Sequence, residues 1–547
     1  MAAEMKDEAK DTCSDVATTV EAAPATTCVV PWAYMRKGEW IFFSKEDCEK
    51  LEASRDDTPV EVDSGRLEVT VRQRTVSAIF WREGPYPVIR SEWLFEAASG
   101  KIFPFPEDES TELSRYWNQL SHDTPHHFSL PVVDHMTAVD IKFGPSKTPL
   151  GQKISELFLK CNHTRSHRCK AIHHGYNAWK PSSAARKVDH LIFVVHGIGE
   201  TYCKKRMADG TIVDWSYTMR QLTEQIMTSH FPTATTGVEY LPVDWSNVLS
   251  DMGDNLHSTL HRISFESMPF VREICNELLS DILMYMERKH QVLQYVANYM
   301  NTVLTLYLHR NPSFEGKISI MGHSLGSVIS YDLLSKQSSE FDKAFLLDFE
   351  PHTFFAFGSP VGLFLTLRGK GKGDTMALPT CQHLYNINHP VDPIAYRLEP
   401  LLVPQAKVMP PVRMNTYSGW KRLHHAVQDI VESIDASQRK FTKDIGHAFD
   451  KMSNLLKPAR EVAEQEAAAA ASATPRDDSA EMQLDALLAQ LNPRAKRLDF
   501  VLPESEIEAL TPIAALTAHT GYWSSMDFVL FIVTQLVEDV TDVKGST

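Results

Sequence analysis

Gly322-His323-Ser324-Leu325-Gly326 is a G-x-S-x-G placed between two apolar runs, one from Lys317 to Met321 and one from Val328 to Leu334. A serine hydroxyl is a weak nucleophile until a base takes its proton, and this spacing presents one for acyl transfer. The serine sits at the tip of a sharp strand-to-helix turn, and a glycine two residues to either side lets neighbouring elements approach it closely. The helix that follows contributes its dipole and free N–H groups, which favour an oxyanion. Ser324 is therefore read as a nucleophile and the N–H of Leu325 as a first oxyanion donor. Upstream, His196-Gly197-Ile198-Gly199 follows the apolar run from His190 to Val195. Hydrolases of this kind take their second oxyanion donor from such a loop, here Ile198 or Gly199. His196 and Gly197 are expected to shape the loop, and His196 is not expected to transfer protons.

The base and its orienting acid should follow Ser324 in the order acid, then His. Asp392 lies in Asn388-His389-Pro390-Val391-Asp392-Pro393, a turn directly after a strand-like stretch, and is the expected acid. His519, in Ala518-His519-Thr520-Gly521-Tyr522-Trp523, is the expected base. His389 shares a turn with Asp392, and His424 and His425 precede the last expected strand. Asp348 and Asp527 are lesser rivals for the acid.

These residues need elements to hold them. Apolar runs at 190–195, 317–321, 354–357, 383–387 and 498–502 read as buried strands, and the patterns at 216–229, 270–309 and 328–334 read as helices. Strands alternating with helices predict an α/β fold of α/β-hydrolase type with a mostly parallel sheet. Ahead of it, residues 31–117 hold five of the ten Trp, with strand-like segments at 66–72, 76–81 and 88–95. They predict a small Trp-rich α+β domain. Residues 1–30 read as a disordered tail and 118–187 as an irregular connector. The catalytic domain spans 188–547, with an insertion at about 420–496 that includes low-complexity linker at 462–480.

The motifs GHSLGS, HGIG, HPVDPIAYRLEPL (389–401) and AHTGYWSSMD (518–527) resemble the intracellular phospholipase A1 family, whose C-terminal module is the DDHD domain. That resemblance implies hydrolysis of the sn-1 ester of phosphatidic acid or a related phospholipid, with some relatives cleaving neutral acylglycerols. Its four name-giving residues were once linked to metal, and Asp392, His519 and Asp527 match three of them. A triad would use the same side chains, so no metal or organic cofactor is expected and Asp527 is a weak metal candidate only. WAYMRKGEWIFFS, VDSGRLEVTV and FWREGPYPVIRSEWLFE resemble a divergent WWE-type domain.

The chain has 547 residues, with 55 Lys and Arg against 70 Asp and Glu, a net charge of −15. That balance disfavours a general nucleic-acid binder. The eight Cys form no C-x-x-C pair, and no stretch approaches 18 uninterrupted apolar residues. The expected setting is the cytoplasm, with peripheral contact to endoplasmic-reticulum or Golgi membranes. From Lys160 to Arg206 ten Lys and Arg face only Asp189 and Glu200, a net +8 around the HGIG loop. Lys204, Lys205, Arg206 and Arg397 are the head-group or membrane candidates, and Arg368 opens a second basic run. Cys161, His163, His167, Cys169, His173 and His174 have zinc-ligand chemistry, but their spacing matches no common finger. Apolar residues at helical spacing from Val427 to Met452 suggest core or partner packing, with a mobile lid as the alternative. A homo-oligomer, a trafficking partner and a lipid-sensing scaffold without strong activity complete the expectations.

Overall fold

The computed structural model describes, apart from short gaps, residues 29–119, 186–197, 210–249, 259–338, 342–369, 378–402, 410–417, 486–503 and 518–545. It also describes strand backbones at 16–19, 126–130, 139–147, 153–161 and 169–176. The chain divides into two compact units, Met1–Ala185 and Arg186–Thr547.

In the first unit, six short antiparallel strands lie in the order Glu39–Phe42, Trp32–Arg36, Tyr86–Arg90, Thr75–Ala78, Leu67–Thr70 and Val60–Val62. Trp32, Trp81 and Trp93 are buried in this unit, and the Trp32 indole N–H donates to Glu52 at 2.6 Å. The stretch 88–95, expected as one strand, is two: the chain breaks at Ser91 and resumes as Trp93–Ala97. Two further expectations are corrected. Val16–Thr19, inside the expected tail, pairs with the strand Lys153–Cys161. The expected connector contains regular β-structure among its described residues, with His126–Leu130, Val139–Lys147 and Lys153–Cys161 in one antiparallel sheet. The signal for it is a two-residue period in which Val139, Ile141 and Phe143 alternate with Asp140 and Lys142.

The second unit is built on β1 (Lys187–Val195), β2 (Thr236–Val243), β3 (Lys317–His323), β4 (Thr353–Phe357), β5 (His383–Asn388), β6 (Val412–Arg413) and β7 (Asp499–Val501). They form one sheet in the order β2-β1-β3-β4-β5-β7-β6, and every pair is parallel. All residues of β1 from His190 onward are buried, so side chains pointing both ways are covered. A central parallel strand with a layer on each face requires that, and it explains why 190–195 is continuously apolar rather than alternating. The cover comes from α1 (Ile212–His230), α2 (Pro269–Arg310), α3 (Leu325–Leu334), α4 (Val361–Leu367) and α5 (Met526–Gly545), with α1 packed on α5 and α2 on α3. The start of α1 is fixed by a capping box between Thr211 and Asp214. The long helix α2 is broken at Arg288 (φ −106°, ψ 20°).

An ionic cluster around the buried Asp332 joins α2, α3 and the end of α4. Asp332 of α3 accepts from the Arg368 guanidinium at 2.5 and 2.9 Å, from Lys289 at 2.7 Å and from the Tyr285 hydroxyl at 2.7 Å. Arg368, the first residue of the second basic run, is thereby a counter-ion of Asp332, and Lys370 and Lys372 of that run lie outside the described residues. Among the described residues no helix is long and apolar enough to cross a membrane.

Candidate active site

Ser324 stands between β3 and α3 with φ 51° and ψ −125°, a conformation that an L-residue keeps only when its surroundings enforce it. Those surroundings are its own N–H bonded to Phe357 O at 3.1 Å and its carbonyl held by the Ser327 hydroxyl at 2.5 Å. Close approach on either side explains the flanking glycines. A Cβ on Gly322 would lie 2.7 Å from Ser327 Cα, and one on Gly326 would strike the carbonyl oxygens of Val195 and His196. So α3 can lie against β1 only because position 326 has no side chain.

Three residues far apart in sequence meet here. His519 Nε2 is 2.9 Å from Ser324 Oγ, and His519 Nδ1 is 3.0 Å from both carboxylate oxygens of Asp392. Asp392 follows β5, next to β4, while His519 lies in the short helical turn that precedes α5. The Asp392 carboxylate also accepts the N–H of Ile394 at 2.9 Å and the hydroxyl of Tyr522 at 2.9 Å. Burial alone would raise its pKa. The His519 ring and these two donors outweigh that and hold it below the usual carboxylate range. Tyr522 in turn accepts the N–H of His389 at 2.6 Å, and burial beside Asp392 pushes its phenol well up, so it stays a donor.

The structure places the remaining candidates as follows. Leu325 is buried as the first residue of α3, so its N–H lies ahead of the intrahelical ladder. Gly197 presses on the nucleophile: a Cβ there would fall 2.6 Å from Ser324 Cβ and 3.3 Å from its Oγ. His196 is buried with its ring stacked on Trp245 at 4.9 Å; its Nδ1 donates to Gly197 O, its Nε2 accepts from Trp245 N, and its carbonyl accepts the Trp245 indole N–H. Ile198, Gly199, Lys204, Lys205 and Arg206 lie outside the described residues, as do His424 and His425 and the apolar pattern from Val427 to Met452.

Arg397 does not have the setting expected of a head-group contact. Its guanidinium reaches Asp499 at 3.1 Å and Glu399 at 3.4 Å, two carboxylates with no exposed side-chain surface. Arg497 closes the cluster on Glu399 at 2.8 Å, and the Asp499 carboxylate accepts the N–H groups of Leu398 and Glu399. This cluster ties the loop after Asp392 to β7. Asp527, in the first turn of α5, accepts the N–H of Tyr417. Asp348, the other rival acid, gives its N–H to Asn301. His173 pairs with Glu96 and His174 stacks on Trp93; among the described residues no three His, Cys, Asp or Glu side chains form a metal-holding group.

Two residues beside the triad carry no signal in the serine motif. His323 fills the variable position before the nucleophile, and Tyr522 lies three residues past His519. Only the fold brings Tyr522 to Asp392, 130 positions away.

Comparison with known proteins points the same way. The DDHD domain profile matches residues 347–486 and 463–537, and the serine esterase profile DUF676 matches 279–382. Triacylglycerol hydrolase DDHD2 of Homo sapiens is 25% identical, over 93% of this chain and 92% of its own length. Phospholipase DDHD1 of Bos taurus is 26% identical over 86% of this chain and 68% of its own, and SEC23-interacting protein of Mus musculus is 23% identical over 92% and 72%. No solved structure matches. With an α/β-hydrolase sheet and a strained serine at its strand-to-helix turn, the chain carries matches to the DDHD domain and to a serine esterase family between residues 279 and 537, and it is similar along most of its length to hydrolases that bear that domain.

Proposed function

We propose that this chain is a lipase that cleaves the sn-1 acyl ester of phosphatidic acid or a related glycerophospholipid through Ser324, His519 and Asp392. The observation that carries the reading is the unbroken hydrogen-bonded line from Ser324 Oγ through both nitrogens of His519 to Asp392. Ser324 Oγ attacks the ester carbonyl carbon while His519 Nε2 takes its proton. Asp392 holds the productive tautomer and stabilises the imidazolium. The oxyanion is held by the N–H of Leu325 and by a second donor from the loop after Gly197. His519 returns the proton to the departing lysolipid oxygen, leaving an acyl-enzyme. Water then repeats the sequence, with His519 as base, and releases the fatty acid.

The phosphatidic-acid preference rests on the family resemblance and on the net +8 segment around the HGIG loop. A neutral acylglycerol substrate is the second reading, favoured by the relative named as a triacylglycerol hydrolase, which aligns over nearly its whole length. The setting proposed is cytoplasmic, at endoplasmic-reticulum or Golgi membranes, with the Trp-rich unit as a WWE-like partner or packing module. One assay separates the readings. Phosphatidic acid, phosphatidylcholine and diacylglycerol are offered in the same mixed micelles, with Ser324→Ala as control. Fastest release from phosphatidic acid, abolished in Ser324→Ala, is expected; faster diacylglycerol cleavage would establish the second reading. A wild-type chain that neither cleaves lipid nor labels with a fluorophosphonate would refute the enzymatic reading and leave the scaffold.

A further inference from the structure

We propose that His323, the residue before the nucleophile, is a positioning residue for the base: its neutral imidazole holds the main-chain carbonyl of His519 and fixes where that ring stands. This rests on the triad reading above and adds a member outside it. His323 Nε2 lies 2.7 Å from His519 O. A carbonyl oxygen only accepts, so the proton sits on Nε2 and the bond runs from His323 to the base's own backbone. The two imidazoles are 4.8 Å apart. His323 is thus joined covalently to the nucleophile and by hydrogen bond to the base, and it couples the two parts of the triad most distant in sequence.

The surroundings keep this imidazole in place and uncharged. Phe357 (5.0 Å), Trp523 (5.3 Å) and Tyr522 (6.0 Å) enclose the ring. The backbone of Gly358 closes on Nε2, where a Cβ would fall only 3.3 Å away. Burial, and then the neighbouring His519, push the pKa of His323 down to about 3. Neutrality suits the task. His519 becomes an imidazolium in each proton transfer, and a permanent cation this close would oppose that charge. A lysine could hold the same carbonyl but would carry the opposing charge, whereas a neutral imidazole supplies one directed donor without it.

The test uses the full chain with three substitutions. His323→Phe keeps the ring volume and removes the donor, His323→Met does so with a flexible side chain, and His323→Gln keeps an N–H donor near the original Nε2. Active sites are counted by fluorophosphonate titration, and kcat and KM on a short-chain water-soluble ester are expressed per titrated site. A carbonyl left without its donor, with a base displaced by a fraction of an ångström, lowers kcat per site about 10- to 100-fold. The expected pattern is that loss in Phe and Met with KM within about threefold of wild type, and recovery to within about fivefold of wild type in Gln. Fewer titratable sites with wild-type kcat per site would mean that His323 only supports folding, and would overturn the proposal. So would a Gln variant as slow per site as Phe. A wild-type chain that does not titrate at all would refute the triad itself, a separate result.

Discussion

Asp392→Asn keeps the shape of the side chain, removes one charge from the site and turns the acceptor of the Tyr522 hydroxyl into a donor. Its carboxylate centres on His519 Nδ1, 3.0 Å from each oxygen, and is held in place by Ile394 N–H and the Tyr522 hydroxyl. An asparagine can keep the Ile394 contact with its oxygen and turn its NH2 toward the Tyr522 oxygen. Packing and ring position should therefore survive. What is lost is attraction between the carboxylate and the imidazolium that forms in the transition state. Coulomb's law at about 3 Å and an effective dielectric of about 20 gives about 5 kcal/mol. At 1.36 kcal/mol per decade that is a fall in kcat of about 10^3 to 10^4, close to what loss of the orienting acid costs in triads generally. The assay is steady-state hydrolysis of a water-soluble ester, with thermal unfolding run alongside to show that Tm is unchanged. A well-folded Asp392→Asn retaining more than about a tenth of wild-type kcat would refute Asp392 as the acid.

Three other perturbations reach different parts of the molecule. Tyr522→Phe takes a donor from the Asp392 carboxylate and an acceptor from His389 N–H, and a hydrogen bond to a charged group is worth about 1.5–3 kcal/mol; kcat should fall about 10- to 100-fold with KM nearly constant. Gly197→Ala drives a methyl into Ser324 Cβ; fluorophosphonate labelling should slow by at least about 100-fold while circular dichroism stays unchanged. Asp332→Asn uncouples Arg368 and Lys289, whose side chains remain 29% and 33% exposed, so solvent absorbs part of the loss and about 2–4 kcal/mol is expected in urea unfolding. Burial raises the pKa of Asp332, but Arg368 and Lys289 more than reverse this and leave it depressed. The wild-type advantage over Asp332→Asn is therefore fully present above the unfolded value of about 3.9, and it should shrink as pH drops through the lower folded value.

The parallel sheet was legible because buried strands are continuously apolar and the serine motif marks one strand end and one helix start. Ser324, Asp392 and His519 could be named as candidates because chain order and the position of each after a strand restrict the choice. His323 could not, since the motif leaves its position variable and its role depends on a carbonyl 196 residues away. The Glu399–Asp499 cluster was equally hidden: two acids about a hundred positions apart reveal nothing until β5 and β7 pair. In the first unit the alternation at 139–143 was present but masked by basic and His-rich surroundings. The pairing of Arg397 with Glu399 and Asp499 was hidden as well, because Asp499 lies about a hundred positions away in the chain.

Resistance to local opening should differ sharply across the triad. Ser324 is anchored between a strand paired on both sides and a helix with all ten residues buried. Asp392 stands on a turn after the paired strand β5, whereas the turn that carries His519 is held by hydrogen bonds of the His519 ring to Asp392 and of its carbonyl to His323. Amide hydrogens of Ile320 and Val328 should exchange only on global unfolding, and those of the turn at 518–521 at a lower free energy. Gentle warming should then separate base from nucleophile before the sheet melts, so catalytic activity disappears below the unfolding transition and returns on cooling.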